Sequence, residues 1–93
     1  MNREKLNLTS EQGRDIVYGD DSNFVTVEGR LIVKRQLNDE YKIVVKRKSD
    51  GKYFKDIYCR GNVTEDQYER PYEYSKPNFT EVFPVTKTYI DYE

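Results

Sequence analysis

Apolar and polar residues alternate from Phe24 to Leu37. Val25, Val27, Leu31, Val33 and Leu37 occupy odd positions, and Thr26, Glu28, Arg30 and Lys34 occupy even ones. That period of two predicts a half-buried strand. Gly29 interrupts it and predicts a bulge or a Glu28-Gly29 hairpin turn within the stretch. Two further runs rich in β-branched and aromatic residues, within Tyr41–Arg60, flank Ser49-Asp50-Gly51. This is a β-hairpin signal. A type I turn with Gly51 in the left-handed position of a G1 bulge sets Lys48 opposite Lys52. Ile43 then faces Ile57, Val45 faces Lys55 and Tyr41 faces Cys59, and these form the expected core face. Lys42 opposite Tyr58, Val44 opposite Asp56 and Lys46 opposite Phe54 form the outer face. A two-residue Asp50-Gly51 turn would instead set Ile43 opposite Tyr58. A slip of one residue moves the whole apolar set to the other face.

Outside these strands the pattern is mixed. Thr9-Ser10-Glu11-Gln12 has capping-box spacing, with Thr9 as N-cap, and predicts a short helix over Ser10–Tyr18 with Ile16 and Val17 facing in. Leu6 and Leu8 are placed to pack against its inner side, and Met1–Lys5 is expected to fray. Gly19–Asn23 reads as a turn, so Asp20-Asp21 is a helix-end feature rather than a Mg²⁺ site. Gly61–Phe79 has no sustained period. Thr64–Gln67 repeats the capping-box spacing, but Pro71 and Pro77 limit any helix there to about one turn. Thr80–Tyr92 reads as a last strand, with Pro84 at an edge or at the strand start because it has no N–H to donate. The expected fold is α+β: one domain over residues 1–93, with a short N-terminal helix packed on an antiparallel sheet of four to five strands.

Composition narrows the function. Apolar residues make up 35% of the 93-residue chain, so the core is thin, and nine Tyr and four Phe must supply much of the buried area. A thin, tyrosine-rich core also fits a protein that completes its burial against a partner or as a homo-oligomer. Net charge is −1, so bulk attraction to a polyanion is not expected. The charge is uneven, with 13 Lys and Arg against 10 Asp and Glu in residues 1–61, and 3 against 7 in residues 62–93. There is one cysteine, no apolar leader and no membrane-length apolar run. These point to a cytoplasmic protein with no membrane association.

Candidate chemistry is sparse. The chain has no histidine, the commonest general base and metal ligand. Cys59 reads as a buried structural thiol. No carboxylate spacing matches an acid pair or a metal loop. The expectation is therefore no enzyme, no cofactor and no metal. Two surfaces remain. The first is the outer hairpin face, where Lys42, Lys46, Lys48 and Arg60 interleave with Phe54 and Tyr58, as a nucleic-acid-binding surface would. The second is the irregular stretch holding Tyr68, Arg70, Tyr72, Tyr74 and Phe79, residue types enriched at protein-interface hot spots. Within it, Tyr72 beside Pro71 is expected to support the fold, and Tyr68 and Tyr74 to meet a partner.

The segments LTSEQGRDIV (Leu8–Val17), VVKRKSDGKYFKDIY (Val44–Tyr58), QYERPYEYSKPNFTEVFPV (Gln67–Val85) and KTYIDYE (Lys87–Glu93) resemble a group of small proteins encoded by bacteriophages of Gram-positive bacteria. The resemblance implies a phage product acting in the host cytosol, with a host factor or defence component as its protein partner. It lends no catalytic residue. A nucleic-acid or nucleotide-binding accessory role for the basic hairpin face is the alternative.

Overall fold

The computed structural model describes residues 3–36, 38–61, 69–86 and 90–92. Its architecture is α+β, as expected. Helix α1 (Ser10–Tyr18) leads into β1 (Phe24–Lys34), β2 (Asn38–Arg47), β3 (Tyr53–Gly61) and β4 (Thr80–Val82), which form one antiparallel sheet in the order β1-β2-β3-β4. The expected single last strand is divided instead. Strands β5 (Pro84–Thr86) and β6 (Ile90–Tyr92) pair as a separate ribbon, and Pro84 opens β5.

Both ends of α1 close by local chemistry. The Gln12 N–H donates to Thr9 Oγ1 at 3.2 Å, and the Thr9 N–H donates to Gln12 Oε1 at 2.8 Å, completing the capping box. Gly19 takes a left-handed φ of 76°, and the Asp20 N–H donates back to Asp15 O at 2.8 Å. Gly13 is buried in the helix because no side chain fits there. A Cβ would overlap Pro77 Cγ and lie 2.8 Å from the Tyr72 ring. Asp20-Asp21 is a turn, in which the Asn23 N–H donates to Asp21 Oδ1 at 2.9 Å.

The hairpin register differs from both expectations. Ile43 stands opposite Asp56, Val45 opposite Phe54 and Lys42 opposite Ile57. Gly51 is left-handed at φ 75°, as expected, but the turn is one residue longer. It closes at Arg47 and Lys52, where the Arg47 N–H donates to Lys52 O and the Gly51 N–H donates to Arg47 O, both at 2.8 Å. Asp50 fixes this longer loop. Its carboxylate accepts from the Arg47 guanidinium at 2.7 Å and from the Lys52 N–H at 3.2 Å.

The shift exchanges the faces of β3. Phe54 and Tyr58 join Ile43 and Val45 on the core side, and Ile57 and Cys59 turn to the other side. The core unites Ile16, Ile43, Val45, Phe54, Tyr72 and Phe79, with Leu6, Leu8, Val17, Phe24 and Tyr58 packed around it.

Strand β1 is continuous, with no turn at Gly29. Its irregularities fall on either side of that residue, with Val27 and Ile32 as the extra residues. Leu37, assigned by pattern to the odd face, lies outside the described residues. The N-terminal segment is ordered rather than frayed from Arg3 onward. Lys5 bridges to Thr80, the Leu6 N–H donates to Phe79 O at 2.9 Å, and the Glu81 N–H donates to Glu4 O at 2.8 Å. The segment therefore lies along the outer edge of β4. Arg47 clasps it with a bidentate bond to Glu4 at 2.8 and 3.1 Å.

Candidate interaction surfaces

The loop before β4 is built around a buried anchor. Tyr72 is 3% exposed, and its hydroxyl donates to Asp56 Oδ2 at 2.8 Å. The same carboxylate accepts from the Asn78 N–H at 2.8 Å and the Ile57 N–H at 2.7 Å. Burial pushes the Asp56 carboxyl above its ordinary range, and these three bonds only partly offset that rise. Burial, then the charge of Asp56, raises the Tyr72 hydroxyl so far that it stays protonated. Tyr72 also holds a left-handed φ of 60°, which costs a non-glycine residue about 1–2 kcal/mol. The Arg14 guanidinium fixes this conformation from the helix, donating to Pro71 O at 3.2 Å and Tyr72 O at 3.5 Å. A chain of rings, Tyr41, Tyr58, Tyr72 and Phe79, packs at centroid spacings of 5.5, 5.8 and 6.2 Å.

The anchor sorts the residues expected to meet a partner. Phe79 is fully buried, and both it and Tyr72 belong to the core rather than to a contact surface. Tyr74, two residues beyond the anchor, is 85% exposed. Arg70 is exposed and pairs with Glu73 at 2.9 Å. Tyr68 and the Thr64–Gln67 segment lie outside the described residues.

The basic aromatic face expected on the hairpin is not formed. Phe54 is fully buried, and Tyr58 lies on the core side against Tyr41 and Tyr72. Lys42 is drawn down to Glu28 at 3.1 Å, with its side chain 9% exposed. Lys46 lies over the Tyr53 ring at 5.9 Å, and Arg60 lies over Tyr18 at 5.6 Å. Lys48 is exposed at the turn. Six residues assigned to one surface are thus divided between the two faces and the turn, because the register moved by one.

Cys59 likewise leaves the core face. It stands opposite Glu40 and is partly buried. Burial and the nearby carboxylates of Glu69 and Glu40 keep its thiol protonated. No group of three or more metal-ligating residues occurs among the described residues. No helix among them is long and apolar enough to cross a membrane.

A third surface, on β1, is not announced by the sequence pattern. Val25, Val27, Leu31, Ile32 and Val33 of β1 are each 38–45% exposed. Alternation placed Val25, Val27, Leu31 and Val33 together on one face of a half-buried strand, although the consecutive Leu31-Ile32-Val33 was a visible departure from it. Among the described residues β1 pairs only with β2, so its outer edge carries unpaired backbone groups beside these side chains. No known protein family, curated protein or solved structure matches the chain.

Proposed function

We propose that this is a small non-catalytic binding protein that grips another protein through the Arg70–Lys76 loop. The phage-type resemblance supplies the partner class, a host protein. The observation that carries the reading is the contrast between Tyr72 and Tyr74. One ring is locked in the core, and the other stands almost fully in solvent two residues away. Loops held on a rigid scaffold commonly carry recognition, and pre-ordering lowers the entropy lost on binding. Here the ordering comes from Asp56, Arg14 and the Arg70–Glu73 pair. A binding role is also consistent with the absence of histidine and with a protonated Cys59 thiol.

The test is tagged capture from lysate of a Gram-positive host, with the urea midpoint measured in parallel. Tyr74→Ala should leave the unfolding free energy within about 0.5 kcal/mol of wild type. It should weaken recovery of the captured protein by roughly 2 kcal/mol, about thirtyfold. Unchanged recovery with Tyr74→Ala would refute the loop as the grip.

A further inference from the structure

We propose that β1 is a self-pairing edge. Two copies of the chain join antiparallel across a dyad at Gly29 and merge their four-stranded sheets into one of eight strands.

A dyad normal to the sheet must set one residue opposite its own copy. Near the middle of β1 the choices are Glu28, Gly29 and Arg30. Centring on Glu28 opposes two carboxylates, and centring on Arg30 opposes two guanidinium groups. Like charges directly opposite are destabilising, and opposite charges are stabilising. Centring on Gly29 sets each Glu28 opposite Arg30 of the second copy. It also sets Val25 opposite Val33, Val27 opposite Leu31, and Thr26 opposite Ile32. Every exposed valine, leucine and isoleucine of β1 thereby gains an apolar partner or a threonine.

The faces agree with this register. Val25, Glu28, Arg30 and Val33 stand opposite Lys46, Val44, Lys42 and Glu40 of β2, all on the sheet face opposite to Ile43 and Val45. The dyad pairs Val25 with Val33 and Glu28 with Arg30, so each pair falls on one face. The extra residues Val27 and Ile32 lie outside the central Glu28–Leu31 run, which keeps regular register with β2.

Arg30 is exposed, and its side chain makes no ion pair or hydrogen bond among the described residues. Nothing lies within 4 Å of where a Gly29 Cβ would be, so the fold of one copy does not require glycine there. A glycine inside a strand weakens it and marks places where another backbone approaches closely. At the dyad, that other backbone is Gly29 of the second copy.

Sedimentation equilibrium over about a hundredfold range of concentration tests the association. The mass should rise from 11.2 kDa toward twice that value. Arg30→Glu places two carboxylates opposite each other at both symmetric positions and should weaken the dimer by about tenfold or more. Gly29→Cys, in a Cys59→Ser background, tests the register. Residues opposite each other in an antiparallel pair have Cα atoms roughly 4.5–5.5 Å apart. That is within disulfide range, so oxidation should give a covalent dimer. Val25→Cys is the control, because four residues either side of the dyad separate its two copies by roughly 27 Å. A chain that stays at 11.2 kDa throughout the series overturns the proposal. So does a dimer indifferent to Arg30→Glu, or one that cross-links as readily at Val25→Cys as at Gly29→Cys.

Discussion

Among the described residues, the β4 edge of the sheet is covered, whereas the β1 edge is bare. At β4 the N-terminal segment lies along the outer side, with backbone bonds from Leu6 to Phe79 and from Glu81 to Glu4. Arg47 ties Glu4 to Asp50 across that junction, and Lys52 reaches Glu4 at 3.2 Å. The eleven residues of β1 have no such cover among the described residues and expose five large aliphatic side chains. Both edges face the same problem, unpaired N–H and C=O groups that invite another strand. At β4 the chain's own N-terminal segment supplies the partner. The bare edge is consistent with the tyrosine-rich, thin core: apolar area has been spent on a surface that one copy cannot bury alone.

If the covered side is where the fold is secured, damage there should be the most severe. Phe79 joins that edge to the core, since its carbonyl accepts from Leu6 and its ring packs against Tyr72. Phe79→Ala should lower stability by about 3–5 kcal/mol, read as a shift in the urea midpoint at constant slope. A loss below about 1 kcal/mol would mean that the junction contributes little, and the contrast between the edges would lose its energetic meaning.

The parts of the fold that were legible in the sequence are those fixed by local chemistry. Thr9 and Gln12 announce the helix start, and Gly19 closes it where expected. Gly51 was placed correctly in a left-handed turn position. The register was not legible. Lys, Tyr, Phe and Ile alternate in β3 so evenly that either face could have been buried, and loop length had to decide. The loop that forms has four residues and is braced by the Arg47–Asp50 pair. With one more residue in the loop than expected, Phe54 and Tyr58 lie on the core side, and the expected basic aromatic face is not assembled. The anchor of the candidate loop was half legible. Pro71 marked Tyr72 as structural, but its partner Asp56 lies 16 residues away and carries no local signal. The pairing of residues 3–6 with β4 likewise depends on contacts more than 70 residues apart.

Acid should act on the two structural carboxylates in opposite directions. Arg47 holds the Asp50 carboxyl down at about 2, below its ordinary 3.8. Such a group contributes stability above its unfolded value, and the contribution fades as the pH falls through the folded value. Asp56 is raised by burial. Between its unfolded and folded values the native state binds more protons, so its contribution is greatest at low pH and fades as pH rises. Urea midpoints from about pH 6 to about pH 2 should therefore diverge. Wild type should lose its advantage over Asp50→Asn on acidification, and should gain ground on Asp56→Asn. If both differences move in the same direction, one of the two environments is misassigned.

The smallest effect on folding is expected at the β1 edge. Ile32 is half-exposed, is an extra residue in the β1 ladder, and stands outside the core cluster. Ile32→Lys removes apolar area that a single copy leaves in water, and lysine on an edge is a common natural guard against strand addition. At the lowest workable concentration its unfolding free energy should match wild type within about 0.5 kcal/mol. Concentration then separates the two proteins. An association that occurs only between folded chains raises apparent stability by mass action. Wild type should gain about 1.4 kcal/mol for each tenfold rise in concentration per mole of dimer once paired, whereas Ile32→Lys should stay flat. A variant already destabilised when dilute would place Ile32 in the monomer's own packing. Parallel concentration dependence in both proteins would show that the association does not use this edge.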